Sequence, residues 1–315
     1  MLLTISSVRG SPGVTSWALL LAAAWPPGAP DERVVLEADC AGGVLGARYQ
    51  LGVEPGAVSL VSACRRADDT LTLDHHGRLV ADGLWVVPGP EVAERAVPVW
   101  TSGATDVAGV LRKDDRLWLA DVGRAGPESP VQDLIRSSVA NVVVSGPSIE
   151  DVVQVPARVA ALSASAPTGV VVVGRCDFAE DELHRFFGGR ALWAVPTADR
   201  LPELAMRAVQ GGRARRSASW RAATEVASDL ALLCRGGRRP VSGLSAHGVQ
   251  GAEREARSGP DPADPPVAIR PLPTRSEDPE RAAATPDSSA DDDRAAELSP
   301  AMQAALDHRR RGRAR

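Results

Sequence analysis

Seven short apolar runs, at residues 2–8, 34–38, 84–87, 117–121, 141–144, 169–173 and 192–195, recur along the chain with helix-patterned stretches between them. Each run is rich in Val, Leu and Ile and is nearly continuous rather than alternating, the pattern of a strand buried on both faces of a parallel sheet. The intervening stretches are 16–25, 58–66, 91–111, 148–162, 180–187 and 201–210, and 217–234 reads as a last packed helix. Pro98 is expected to break the third of these, because an interior proline removes one helical hydrogen bond. Ser148, ahead of Ile149-Glu150-Asp151, has the chemistry of an N-cap followed by acids that favour the helix dipole. Strand and helix alternating in this way predict an α/β fold, a doubly wound and mostly parallel sheet.

The pattern stops near residue 235, which divides the chain of 315 residues into a domain at 1–235 and a tail at 236–315. Residues 251–297 carry twelve acidic and six basic side chains among Pro, Ala and Ser, with almost no large apolar residue. Such a segment buries too little surface to offset its ordering entropy, so the tail is expected to be disordered. It ends in Arg309, Arg310, Arg311, Arg313 and Arg315. A net charge of −4 argues against bulk attraction to nucleic acid or anionic lipid. Cys40, Cys64, Cys176 and Cys234 form no CxxC pair, which fits reduced thiols in the cytoplasm better than a zinc site or a disulfide framework. The apolar block 17–24 is interrupted upstream by Gly10, Pro12 and Gly13, and it is far shorter than the ~18 residues of a membrane span.

The candidate chemistry begins between the first run and the first helical stretch, at Arg9-Gly10-Ser11-Pro12-Gly13-Val14-Thr15-Ser16. A glycine-rich turn that opens a helix presents backbone N–H groups to an anion, and a hydroxyl there can hold Mg²⁺. The lysine of a phosphate-binding loop is missing, since Val14 stands in its place and the only lysine in the chain is Lys113. Further on, Glu37 and Asp39 close the second run two residues apart, a spacing that places side chains on one face of a strand and predicts that both reach one site. Asp121, followed by Gly123, closes the fourth run. An acid at a strand tip in such a sheet commonly serves the Mg²⁺ of a nucleotide.

These segments, in this order, resemble the deviant Walker A ATPases of the ParA/MinD group, P-loop NTPases whose loop reads KGGxGK[ST][ST]. On that resemblance the signature lysine falls on Arg9, the glycine positions on Gly10, Ser11 and Gly13, the catalytic lysine on Val14, and the hydroxyls on Thr15 and Ser16. The second-strand DxDPQG falls on Glu37-Ala38-Asp39-Cys40-Ala41-Gly42, and the switch II acid and glycine on Asp121 and Gly123. Leu84 to Gly89 looks like the family's "vlPg" strand, and Val195-Pro196-Thr197-Ala198-Asp199 like its "iPxD" segment near the adenine.

The resemblance implies ATP and Mg²⁺ as cofactors, held by Gly10, Ser11, Gly13, Val14, Thr15 and Ser16, with Pro196 and Asp199 near the base, Thr15 and Asp121 on the metal, and Asp39 and Arg9 in catalysis. It implies a homodimer that acts as a switch and positions a protein partner in the cytoplasm. Loss of a phosphate-contacting lysine removes several kcal/mol of transition-state stabilisation, so hydrolysis is expected to be slow or absent. The alternative is a scaffold that keeps the fold without binding nucleotide. Arg207, Arg213, Arg215, Arg216 and Arg221 form a candidate patch for non-specific DNA contact, with a solvated basic face as the plainer reading. The Arg-rich end is a candidate for contact with the inner face of a membrane. Five scattered histidines, with His75-His76 in what reads as a polar hairpin or loop, show no metal-ligand spacing.

Overall fold

All seven apolar runs form strands, and an eighth joins them: β1 (Leu2–Ser7), β2 (Arg33–Glu37), β3 (Arg78–Ala81), β4 (Leu84–Val87), β5 (Leu117–Asp121), β6 (Ala140–Ser145), β7 (Thr168–Val173) and β8 (Leu192–Val195). The computed structural model describes residues 1–235 apart from 10, 11, 28, 29, 53, 67–70, 177, 189, 190 and 197–199. The tail at 236–315, with its Arg-rich end, lies outside the described residues. The strands pair in one sheet in the order β3-β4-β2-β5-β1-β6-β7-β8, all parallel except β3, which runs antiparallel to β4. Every residue of β1, β5, β6 and β7 is buried, as continuous apolar runs require when helices cover both faces.

The helices are α1 (Val14–Ala23), α2 (Leu45–Arg48), α3 (Ala57–Arg65), α4 (Ala93–Leu111), α5 (Gln132–Ser137), α6 (Ile149–Val152), α7 (Val155–Ser163), α8 (Glu180–Phe186), α9 (Leu201–Gln210) and α10 (Ala218–Cys234). Successive side chains of a strand point to opposite faces, so the strands feed two separate cores. Leu3 and Ile5 pack with Trp17, Leu20, Ala205 and Leu230 of α1, α9 and α10. Leu2 and Leu36 pack on the other side with Leu60, Trp100, Leu134, Val159 and Leu183 of α3, α4, α5, α7 and α8. The described part is thus a three-layer α/β fold, as the strand pattern predicts. Among the described residues no helix is long and apolar enough to cross a membrane.

Several local expectations are corrected. Pro98 does not break its helix, because α4 runs uninterrupted through it. The proline sits near the N-terminal end, where it forfeits one bond, and the buried face of Ala96, Trp100, Ala104, Val107 and Leu111 outweighs that loss. The stretch 148–162 is two helices, not one, and Pro156 lies in the first turn of α7, the position proline tolerates. Ser148 does cap α6, accepting a hydrogen bond from the Asp151 amide at 3.3 Å. The segment after His75-His76 is a hairpin whose first arm, β3, is a true strand; Asp82 and Gly83, the latter at φ +62°, make its turn.

Candidate functional site

The sheet order puts β1 between β5 and β6, so the chain leaves its central strand in opposite directions and opens a crevice at the carboxyl ends, where ligands bind in open α/β sheets. At the head of α1, Gly13 has φ +92° and ψ +33°, left-handed backbone that glycine adopts without strain. A Cβ there would lie 2.7 Å from Leu201 Cδ2, the movable end of a side chain, so it is the backbone that calls for glycine. The first bond within the helix runs from the Trp17 amide to the Gly13 carbonyl. The amides of Val14, Thr15 and Ser16 precede it, and among the described residues they meet no acceptor. Three such N–H groups at the positive end of a ten-residue helix have the geometry of an anion cradle.

Thr15, Asp39 and Asp121 converge on this cradle, together lining a cleft of about 730 Å³ with Ser7, Gly13 and Gly123. Asp121 is buried at the tip of β5, and its Oδ1 accepts a 3.0 Å hydrogen bond from the Gly123 amide. Its Oδ2 is buried with no well-formed partner, although the Thr15 hydroxyl lies near enough to favour the ionised carboxylate. Burial pushes the Asp121 carboxyl up to about 7, and the charges of Glu37 and Asp39 push the same way against hydrogen bonds from Thr15 and Gly123. A buried carboxylate beside a hydroxyl and a second acid is a donor set that fits a hard divalent cation such as Mg²⁺.

Glu37 does not join them. Its Oε1 accepts from the amides of Val44 at 2.5 Å and Leu45 at 3.0 Å, and its Oε2 from Gly89 at 3.0 Å. The strand alternation behind the two-acid expectation ends at Glu37, and Asp39 lies past it in a turn, where its Oδ1 accepts from the Ala41 amide at 2.8 Å. Glu37 is therefore a clamp joining the tip of β2 to the start of α2 and to the loop after β4. Burial raises its carboxyl above the ordinary value, against the three amides and the charge of Arg48.

Val14 lines the cleft but its side chain belongs to the apolar core. Ser16 is buried and accepts a 3.3 Å hydrogen bond from Arg48 Nη1. Arg9 and Pro196 are exposed and do not line the cleft. Gly10, Ser11 and Asp199 lie outside the described residues. Arg48 and Arg124, which the sequence reading passed over, do line it, together with Pro147, Val173 and Pro202. A four-residue helix such as α2 has too few turns to show a periodicity, so only the fold reveals that Arg48 reaches the first turn of α1.

The basic segment divides. Arg207, Arg213 and Arg216, with Arg200, line a second open groove. Arg215 is committed inward: its guanidinium donates to the carbonyls of Ala208 and Val209 at 2.9 and 3.3 Å and lies 5.0 Å over the Trp220 ring. Among the described residues no group of histidines, cysteines and acids could hold a metal ion through three such side chains.

Strand order and layers define a doubly wound α/β fold, and solved structures that share it narrow the fold further. The septum site-determining protein MinD complexed with Mg-ADP from Pyrococcus horikoshii matches with a TM-score of 0.58 at 15% identity, over 73% of this chain and 95% of that one. A ParA family ATPase from Chlorobium tepidum matches with a TM-score of 0.56 at 14% identity, over 73% and 98%. A Cyanothece McdA(D38A)–ATP complex matches with a TM-score of 0.53 at 13% identity, over 77% and 99%. The fold of this chain is that of the ParA/MinD ATPases. No protein-family model and no curated protein matches the sequence.

Proposed function

We propose that this chain is a ParA/MinD-like switch protein that binds a nucleotide with Mg²⁺ in the cleft above Gly13 and uses the bound state to position a cellular partner. The observation that carries the reading is the meeting of the head of α1 with Thr15, Asp39 and the buried carboxylate of Asp121 in one cleft. The α1 amides would take phosphate oxygens, Thr15 and Asp121 would hold the metal, and Asp39 would orient water. A bound Mg²⁺ would neutralise phosphate charge and draw the phosphates onto the helix head. Solved relatives by fold include proteins complexed with Mg-ADP, AMPPNP and ATP, and one MinC:MinD complex. By that analogy the chain acts as a cytoplasmic homodimer on a protein partner. Hydrolysis is slow or absent, because Val14 puts a methyl-bearing side chain where the family's loop has an ammonium.

Mass action supplies the test, since a ligand that binds only the folded state raises its melting temperature. ATP with Mg²⁺ should raise the melt of the full chain, and Thr15→Ala or Asp121→Ala should each erase the shift. The burial of Val14 in the apolar core favours a second reading, a scaffold that keeps the fold without nucleotide. Under it, millimolar ATP leaves the melt of the parent chain unchanged.

A further inference from the structure

We propose that Arg48, carried on α2, supplies the positive charge facing the phosphates of a nucleotide seated on α1, in place of the absent loop lysine. The inference rests on the nucleotide reading above and concerns the same cleft. Arg48 lines that cleft with Gly13, Val14 and Thr15, and its Nη1 lies 3.3 Å from Ser16 Oγ, two positions along the helix from Val14. The guanidinium is thus tied to the first turn of the helix whose free amides form the cradle.

Arg48 keeps capacity for a ligand, although its charge also acts on the buried Glu37 carboxylate. Among the described residues it forms no ion pair, whereas Arg116, Arg136, Arg185 and Arg200 each face a carboxylate. One N–H goes to Ser16; a guanidinium has five, arranged in a planar fork that matches phosphate oxygens. Its backbone is held as well, because the Glu37 carboxylate takes the amides of Val44 and Leu45 at the opening of α2. A cation fixed before the ligand arrives needs little reorganisation to meet it.

Among the described residues no other cation is placed so well. Lys113 follows α4 and precedes β5, at the end of the sheet opposite to the cleft. Arg9 is exposed and outside the lining. Arg124 lines the cleft but is exposed beside Gly123, with no side-chain partner holding it toward the helix head. Substitution of lysine by valine in the loop and insertion of an arginine from a neighbouring helix are therefore complementary features of one site. The ligand class that follows is a nucleoside di- or triphosphate.

The test is a titration of a fluorescent ATP analogue, with Mg²⁺, into the full-length parent, Arg48→Ala, Arg48→Lys and the double variant Val14→Lys with Arg48→Ala, each checked for folding by thermal melt. Arg48→Ala should weaken binding by roughly ten- to a hundredfold, the scale of one charge-assisted phosphate contact. Arg48→Lys should fall between it and the parent, and the double variant should recover most of the affinity. Equal binding by the parent and Arg48→Ala overturns the inference and leaves the nucleotide reading standing. No binding by the parent overturns both. A loss in Arg48→Ala that neither lysine variant recovers assigns the side chain a packing role and also overturns the inference.

Discussion

Gly123 lies against Asp39 so closely that a Cβ on the glycine would overlap the Asp39 carboxylate, and the glycine backbone is itself left-handed at φ +56°. Two segments far apart in sequence are thereby held in contact at the mouth of the cleft. Gly123→Ala must push Asp39 aside and strain its own backbone, at a cost of order 1–3 kcal/mol. The expected outcome is a lower melting temperature together with loss of the shift produced by ATP and Mg²⁺. A variant that melts lower but keeps the full shift would show that Asp39 is not needed where it stands.

Asp121 gives the site a pH signature. Its carboxyl titrates near 3.8 in an unfolded chain and at about 7 in the folded one, so between those values the folded state holds more protons. Stability therefore falls as pH rises from about 4 to about 7 and levels off above. Asp121→Asn removes the effect. Denaturant midpoints measured over that range should show the variant gaining on the parent up to about pH 7 and no further; parallel curves would contradict the assignment. Because a metal competes with that proton, stabilisation by Mg²⁺ should be stronger at pH 8 than at pH 5.

The Glu37 clamp predicts a stability effect without direct loss of a ligand. Glu37→Ala leaves the Val44, Leu45 and Gly89 amides without their acceptor. At about 1–3 kcal/mol for each buried unsatisfied group, partly relieved by water, the loss should be about 3 kcal/mol or more. Chemical denaturation measures it directly, and a change under 1 kcal/mol would mean that the amides find other partners.

A fourth prediction concerns the packing of α3 on α4. A Cβ on Gly103 would overlap Val61 Cγ1. Gly103→Ala should cost about 1–3 kcal/mol as overpacking does, despite the better helix propensity of alanine. Val61→Ala in the same chain should return part of it, and a double-mutant cycle reads the coupling.

The strands and most long helices were legible because burial on both faces writes a continuous apolar run, a signal local to each segment. Gly13, Thr15, Asp39 and Asp121 could be singled out because a glycine turn and strand-tip acids occupy fixed places in such a sheet, and the fold brings the four to one cleft. The strand β3 was missed: it is short and partly exposed, with Leu79 on its outer side, and the Asp82-Gly83 turn is the signal that could have marked it. Two features had no local signature. Glu37 and Asp39 look alike in sequence, and only where β2 ends decides that one ties down loops while the other faces the cleft. Arg48 is defined by what α2 packs beside, which no periodicity in four residues can report.

Val14 carries a last consequence. A lysine at the head of a helix leaves a long stem free in the solvent-facing crevice; here a short branched side chain is locked among Trp17, Leu3 and their neighbours in the interior. The floor of the crevice at Gly13 and Val14 is thus set when the protein folds. An anion seated there would meet a preformed floor rather than one it must order, and part of what was forfeited in charge would return as a smaller entropy penalty on association.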